Sequence, residues 1–296
     1  MVNLDLKIDP SWFNAEIRND HYVCRCTKEL WAIQLDMLYK VQQICDKHNI
    51  KWWIDAGTLL GAVRHRGFIP WDDDVDIVMF REDYDKFLEV ARTELKDPYF
   101  LQTDWTDKVF YCHTKIRRSD TTGILAKDTL ANFDFNQGIF IDIFPMDFVS
   151  YASIQSGLKI FLHDTNYSKI KPWMMNVQST IGYLFKGVIR YFRLPVYKWL
   201  DRFFHSDSDN AQSLAYCSEI NEMKQFPVKI LFPLKESVFE GFNFFIPNDY
   251  DTYLRICFGK YMELPSEEER HIHNIGIYPF KPCEHKEIKY WKNEES

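Results

Sequence analysis

The sequence predicts mixed α and β structure, α/β or α+β, and three features lead to that expectation. Segments with helical spacing alternate with short β-like runs through the first half of the chain. An acidic cluster, "PWDDDVDIVMF" at Pro70–Phe80, feeds directly into one of those apolar runs. After Ser150 the chain turns basic and aromatic, which marks an insertion in the pattern.

The elements follow in order. From Thr27 to His48, Leu30, Ile33, Met37, Val41 and Ile44 step by three or four, the mark of an amphipathic helix that packs on a sheet. "KWWID" at Lys51–Asp55 reads as a short strand cut by "AGT". Thr58–Gly67 reads as a short helix closed by Gly67, with basic residues in its last turn. Asp76–Phe80 is strand-like, and "REDYDKFLEVARTEL" after it is a helix with an acidic first turn. Strands are expected at Tyr99–Gln102, at Tyr111–Arg117 and in "GIFIDIFPMD", where Asp142 is alone among apolar residues and Pro145 should stop the run. Near the end, "SVFEGFNFFIP" reads as a hairpin and "DYDTYLRICFG" as a helix. The expected division is an N-terminal extension (1–26), a catalytic core (27–150), a helical basic and aromatic insertion (151–230) and a C-terminal part that completes the core domain (231–296).

Composition limits the function classes. With 46% hydrophobic residues in 296 the chain can build a sizeable core. A net charge of −7 argues against a general nucleic-acid binder. Seven cysteines at 24, 26, 45, 112, 217, 257 and 283 lack the spacing of a disulfide framework or zinc site and read as reduced. The first residues carry no basic-then-apolar leader, and no run reaches the ~18 apolar residues of a membrane span, so a cytoplasmic location is expected. Residues 157–204 hold eight Lys or Arg against two Asp, interleaved with aromatics. They read either as a helical lid with a solvated basic face or as a peripheral contact with the inner face of the cytoplasmic membrane.

The acidic cluster carries the chemistry. Neighbouring carboxylates raise one another's pKa unless a cation or donors offset them, although a solvated acidic turn is the bland alternative. An EF-hand fails: counted from Asp72, Ile77 stands at the sixth position and Asp83 at the twelfth, without the required Gly and Glu. Read as a strand, Asp74 and Asp76 share a face about 7 Å apart, with Val75 and Ile77 turned to the core. Asp142 would complete a metal site if its strand lay alongside, and Asp72 shares the same alternation. Mg²⁺, or Mn²⁺, is the ion such carboxylates and substrate phosphates would hold. Gly57 and Thr58 open a helix whose N-terminus suits a phosphate. Lys115 and Arg117 alternate on one strand face and either meet phosphate or are solvated. Arg64 and His65 either reach phosphate or cap their helix. His271 and His273 are weaker candidates, and Trp71 is the one aromatic placed to hold a quaternary ammonium, with packing under the loop as its other role.

Gly-Thr at a helix start, then D-V-D-I, then an isolated Asp in an apolar strand: this ordered set resembles the DNA polymerase β-like nucleotidyltransferase fold. The longer run "DAGTLLGAVRHRGFIPWDDDVDI", Asp55–Ile77, resembles the signature of the LicD family, bacterial phosphocholine transferases similar to the catalytic regions of fukutin and fukutin-related protein. The resemblance continues in "KIRRSDT" at Lys115–Thr121, in "GIFIDIFPMD" at Gly138–Asp147 and, more loosely, in Phe239–Pro265. It implies an α+β fold, a nucleotidyltransferase-like mixed sheet flanked by helices with a helical insertion. It also implies transfer of phosphocholine from CDP-choline, or of a related group from another CDP-alcohol, to a hydroxyl of a glycan or lipid-linked glycan, with CMP released. By position it makes Asp74, Asp76 and Asp142 the metal carboxylates, with Asp72 either a further ligand or a supporting group just behind them. Phosphoethanolamine or polyol-phosphate transfer, or a silent glycan-binding module with the same fold, are the alternatives.

Overall fold

The computed structural model describes residues 2–103, 106, 113–125, 135–148, 213–216, 224–270 and 275–278. After a short helical turn at Pro10–Phe13, a two-stranded hairpin, β1 (Glu16–Arg18) and β2 (His21–Val23), leads into the long helix α1 (Arg25–His48). The apolar positions read from the sequence all face inward on α1, together with Trp31, Leu35 and Leu38. Cys24 caps its start by accepting the Thr27 N–H, and Asn49 ends it in the left-handed conformation.

The central sheet is mixed. β3 (Trp53–Ile54) runs antiparallel to β4 (Asp76–Phe80), which lies parallel to β8 (Ile139–Phe148); β8 is antiparallel to β6 (Thr114–Arg118), and β6 to β5 (Tyr99–Gln102). Helices α2 (Ala56–His65) and α3 (Arg81–Glu94) flank β4 in the chain. Ile77 and Val75 are wholly buried, as their alternation with Asp76 requires. A separate pair joins β7 (Thr122–Leu125) to β13 (Ile275–Tyr278).

Two expectations change. Pro145 does not stop β8. The Asp142 N–H donates to Val75 O, so even-numbered residues of β8 bond toward β4 and odd-numbered ones toward the other edge. On that edge β6 ends opposite Ile143 and β9 (Ser213–Tyr216) begins opposite Asp147, so Pro145 stands in the gap where no ladder bond is needed. Helix α2 closes at Arg66, with φ 58°, and not at Gly67. Gly67 is needed for space, because a Cβ there would lie 2.0 Å from Glu240 Oε1.

Strands β9 and β10 (Lys224–Pro227) extend β8 and come from the stretch assigned to a helical insertion; residues 157–204 lie outside the described residues. The C-terminal part supplies α4 (Val228–Leu231), then β11 (Lys235–Phe239) and β12 (Phe242–Ile246), a hairpin turning through Glu240 and Gly241 at φ 50° and 87°. Helix α5 (Tyr250–Phe258) follows. Among the described residues no helix is long and apolar enough to cross a membrane.

Candidate active site

Strand register builds the site. Asp76 is the direct partner of Asp142 across β4 and β8, and Asp142 is the partner of Lys115 across β8 and β6. Partnered residues share a face, so two carboxylates and an ammonium line up across three strands on the face away from α1. Thr58 fixes the start of β4: its hydroxyl accepts the Asp76 N–H at 2.9 Å, while the Asp55 N–H donates to Asp76 O at 2.9 Å. The side chain of Thr58 therefore acts on the strand as an acceptor, which leaves its O–H and the helix backbone N–H groups as donors for a phosphate. Gly57 lets the acidic segment close on α2, since a Cβ there would lie 2.7 Å from Asp72 Oδ2. A carboxylate thus already faces the positive end of that helix.

Charge is unevenly answered here. Burial pushes the Asp76 carboxyl well up, and the charges of Asp74, Asp142, Asp55 and Asp72 push it further. Burial alone would raise Asp142 as well, but Lys115 and His113 outweigh it and hold that carboxyl far below the usual range. Lys115 Nζ lies 2.5 Å from Asp142 Oδ1 and His113 Nε2 lies 3.2 Å from the same oxygen. The donor set of crowded carboxylate oxygens suits a hard divalent cation, which would relieve the repulsion at Asp76. As the side chains stand, Asp142 is turned to Lys115, and among the described residues no three such groups already ring a single point. A bound ion would therefore share the Asp142 carboxylate with Lys115 and His113, which both reach its Oδ1.

The other candidates are placed as follows. Lys115 and Arg117 are both buried, which removes the solvated-face alternative. Arg117 donates to Gln102 Oε1 at 2.6 Å and Gly138 O at 2.8 Å, and both cations lie over the Phe140 ring. Arg64 is not brought to the carboxylates: about 10 Å of helix rise separates it from Gly57, and it donates to Tyr261 O at 2.8 Å. Trp71 is packed, with Arg270 over its ring at 4.3 Å and His21 and His65 at its edges. His271 and His273 lie outside the described residues. Sequence reasoning missed Asp55 and His113. His113 was legible as the next alternate position before Lys115 and Arg117; Asp55 is a helix N-cap whose side chain makes no capping bond.

Residues 49–178 match the LicD/FKTN/FKRP nucleotidyltransferase domain. The chain carries a LicD-family domain. It is 26% identical over 273 residues to the lipopolysaccharide cholinephosphotransferase LicD of Haemophilus influenzae, across 84% of this chain and 96% of that protein. An uncharacterized protein of Rickettsia prowazekii is 55% identical over 139 residues, 42% of this chain and 49% of its own. The human ribitol 5-phosphate transferase FKRP is 42% identical over 40 residues, 14% of this chain and 8% of its own. The LicD-family match begins just ahead of β3 and takes in Asp55, the acidic cluster, Lys115 and Asp142.

Proposed function

We propose that this LicD-family protein is a metal-dependent transferase that moves phosphocholine from CDP-choline to a hydroxyl of a cell-surface glycan precursor and releases CMP. The in-register pair of Asp76 and Asp142, crowded by Asp74, Asp72 and Asp55, carries the reading. The likeness to a lipopolysaccharide cholinephosphotransferase along nearly its whole length supports the choline donor. The FKRP match favours a second donor class, a CDP-polyol, with the same chemistry.

In the reaction the acceptor oxygen bonds to the phosphorus next to the alcohol, the bond from that phosphorus to the CMP oxygen breaks, and the hydroxyl proton leaves to a carboxylate. A bound Mg²⁺ or Mn²⁺ would neutralise the diphosphate and lower the pKa of the attacking hydroxyl. Asp74, Asp76 and Asp142 would hold the ion, with Asp72 beside them. Asp142 stays ionised because Lys115 and His113 hold it so, and a bound ion would offset the burial and neighbouring charges that raise the Asp76 carboxyl. Lys115, beside Asp142, supplies positive charge for the departing CMP phosphate. The protein's remaining task is positioning.

The test is CMP release from CDP-choline with a lipid-linked glycan fraction, with Mg²⁺ and with EDTA, for wild type and Asp76→Asn. Metal-dependent release lost in the variant is the expected result. Turnover with CDP-ribitol or CDP-ethanolamine alone would move the substrate, and silence with every donor would overturn the transferase reading.

A further inference from the structure

Like charges gathered on two strands repel, so the backbone that carries them must be held by something other than the charges. On α1, Trp31 and Gln34 stand one turn apart with their polar atoms toward the acidic segment. Trp31 Nε1 donates to Asp72 O at 2.9 Å, and Gln34 Nε2 donates to Asp73 O at 2.8 Å. The same Gln34 amide nitrogen also reaches Phe140 O at 3.4 Å. Asp73 precedes Asp74 on the way into β4, and Phe140 lies two residues before Asp142 on β8. One fully buried side chain therefore touches the backbone of the acidic segment that leads into β4 and of strand β8.

The chemistry of Gln34 marks it further. Its Oε1 is buried with no hydrogen-bond donor among the described residues, so the amide is kept in the core with its acceptor unmet there. A leucine would fill similar volume without that unmet acceptor, but it has no N–H to give to either carbonyl. Local packing and local hydrogen bonding disagree at this position, a mismatch expected where a residue serves a site.

We propose that Gln34 is a positioning residue that sets the separation of the two carboxylate strands and so the site's affinity for a divalent cation. The inference rests on the metal reading above. Gln34 touches no substrate and acts through the carbonyls of Asp73 and Phe140.

The experiment titrates Mn²⁺ alone, followed by electron paramagnetic resonance, into metal-free wild type, Gln34→Leu and Tyr99→Phe, with melting curves for each. Tyr99→Phe removes a buried hydrogen bond to Asp36 on the same helix, 2.6 Å long, and serves as a stability control. Gln34→Leu should weaken Mn²⁺ binding about tenfold or more at a temperature where it is fully folded, whatever its Tm; Tyr99→Phe should keep wild-type affinity despite a lower Tm. Wild-type affinity in Gln34→Leu, or equal weakening in both variants, would overturn the positioning role. Wild type without saturable Mn²⁺ binding would sink the metal reading itself, and this inference with it. If Gln34→Leu does not fold, Gln34→Met, which is also unable to donate, carries the same expectation.

Discussion

The two faces of the central sheet both bury charge, and they answer it in opposite ways. On the α1 face, Asp36 is fully buried, yet its carboxylate accepts from Leu6 N–H at 2.8 Å, Tyr99 O–H at 2.6 Å and Arg118 Nη1 at 2.7 Å. On the opposite face, Asp76 is surrounded by four other carboxylates. Adjacent residues of one strand, Arg117 and Arg118, point to the two faces and are both buried, so burial does not distinguish them. What differs is the balance of sign. A buried carboxylate met by donors is a joint between α1, the N-terminal segment and the sheet; a carboxylate crowded by its own kind costs stability unless a cation arrives from outside.

That contrast can be broken by removing one carboxylate from each face. Asp76→Asn should lower turnover by ~100-fold or more, the scale of losing a group that organises charge in the transition state. Its metal-free Tm should hold or rise, since a repelled charge is gone. Asp36→Ala should do the reverse: a loss of about 3–5 kcal/mol in urea unfolding, because Arg118 loses its buried carboxylate and keeps only that of Asp120 while Leu6 N–H and Tyr99 O–H lose their acceptor, and unchanged Mn²⁺ affinity for the folded fraction. If Asp76→Asn destabilised the metal-free protein as Asp36→Ala does, the two faces would not differ in kind. Lys115→Met sharpens the point. Without the ammonium beside Asp142, Mn²⁺ should bind about tenfold more tightly, as expected when a like charge leaves the neighbourhood of an ion. Weaker binding would mean that Lys115 orders Asp142 for the ion instead of competing with it.

The sequence carried the elements that local rules govern. The spacing on α1, the strand at Asp76–Phe80 and the last hairpin each follow from periodicity or turn chemistry, and each is in place. Asp142 was legible because a single acid in an apolar strand has to face something, and only its exact register opposite Asp76 needed coordinates. Contacts across the chain were beyond reach. Glu240 in the last hairpin accepts from Trp12 Nε1, from Arg18 and from Phe68 N–H, gripping the loop that leads to the acidic cluster, across separations of up to 228 residues. Nothing local in "FEGF" announces that role. The solvated alternative for Lys115 and Arg117 falls for a related reason: β6 is an interior strand between β5 and β8, and strand order is a tertiary fact.

The smallest expected effect lies at the far end of α2 and concerns stability rather than catalysis. His65 Nδ1 donates to Asn19 Oδ1 at 2.8 Å, and its Nε2 accepts from Arg64 Nε at 2.9 Å, so the ring is bound in its neutral form. Burial first, and then the charges of Arg64 and Arg18, lower its pKa to about 4 from the ordinary 6.5. Between those values the unfolded chain holds a proton that the folded chain refuses, so stability falls as pH drops through this window and is fully regained above it. His65→Gln can keep both hydrogen bonds without titrating. Wild type should therefore lose a few degrees more Tm than His65→Gln between pH 7 and 4.5, the scale of a fraction to one kcal/mol in a domain of this size. Parallel curves would show that the ring is not held neutral. Because His65 stands at the opposite end of α2 from Gly57, Mn²⁺ affinity at pH 7 should be the same in both proteins, which separates a charge placed for stability from those gathered at Asp76.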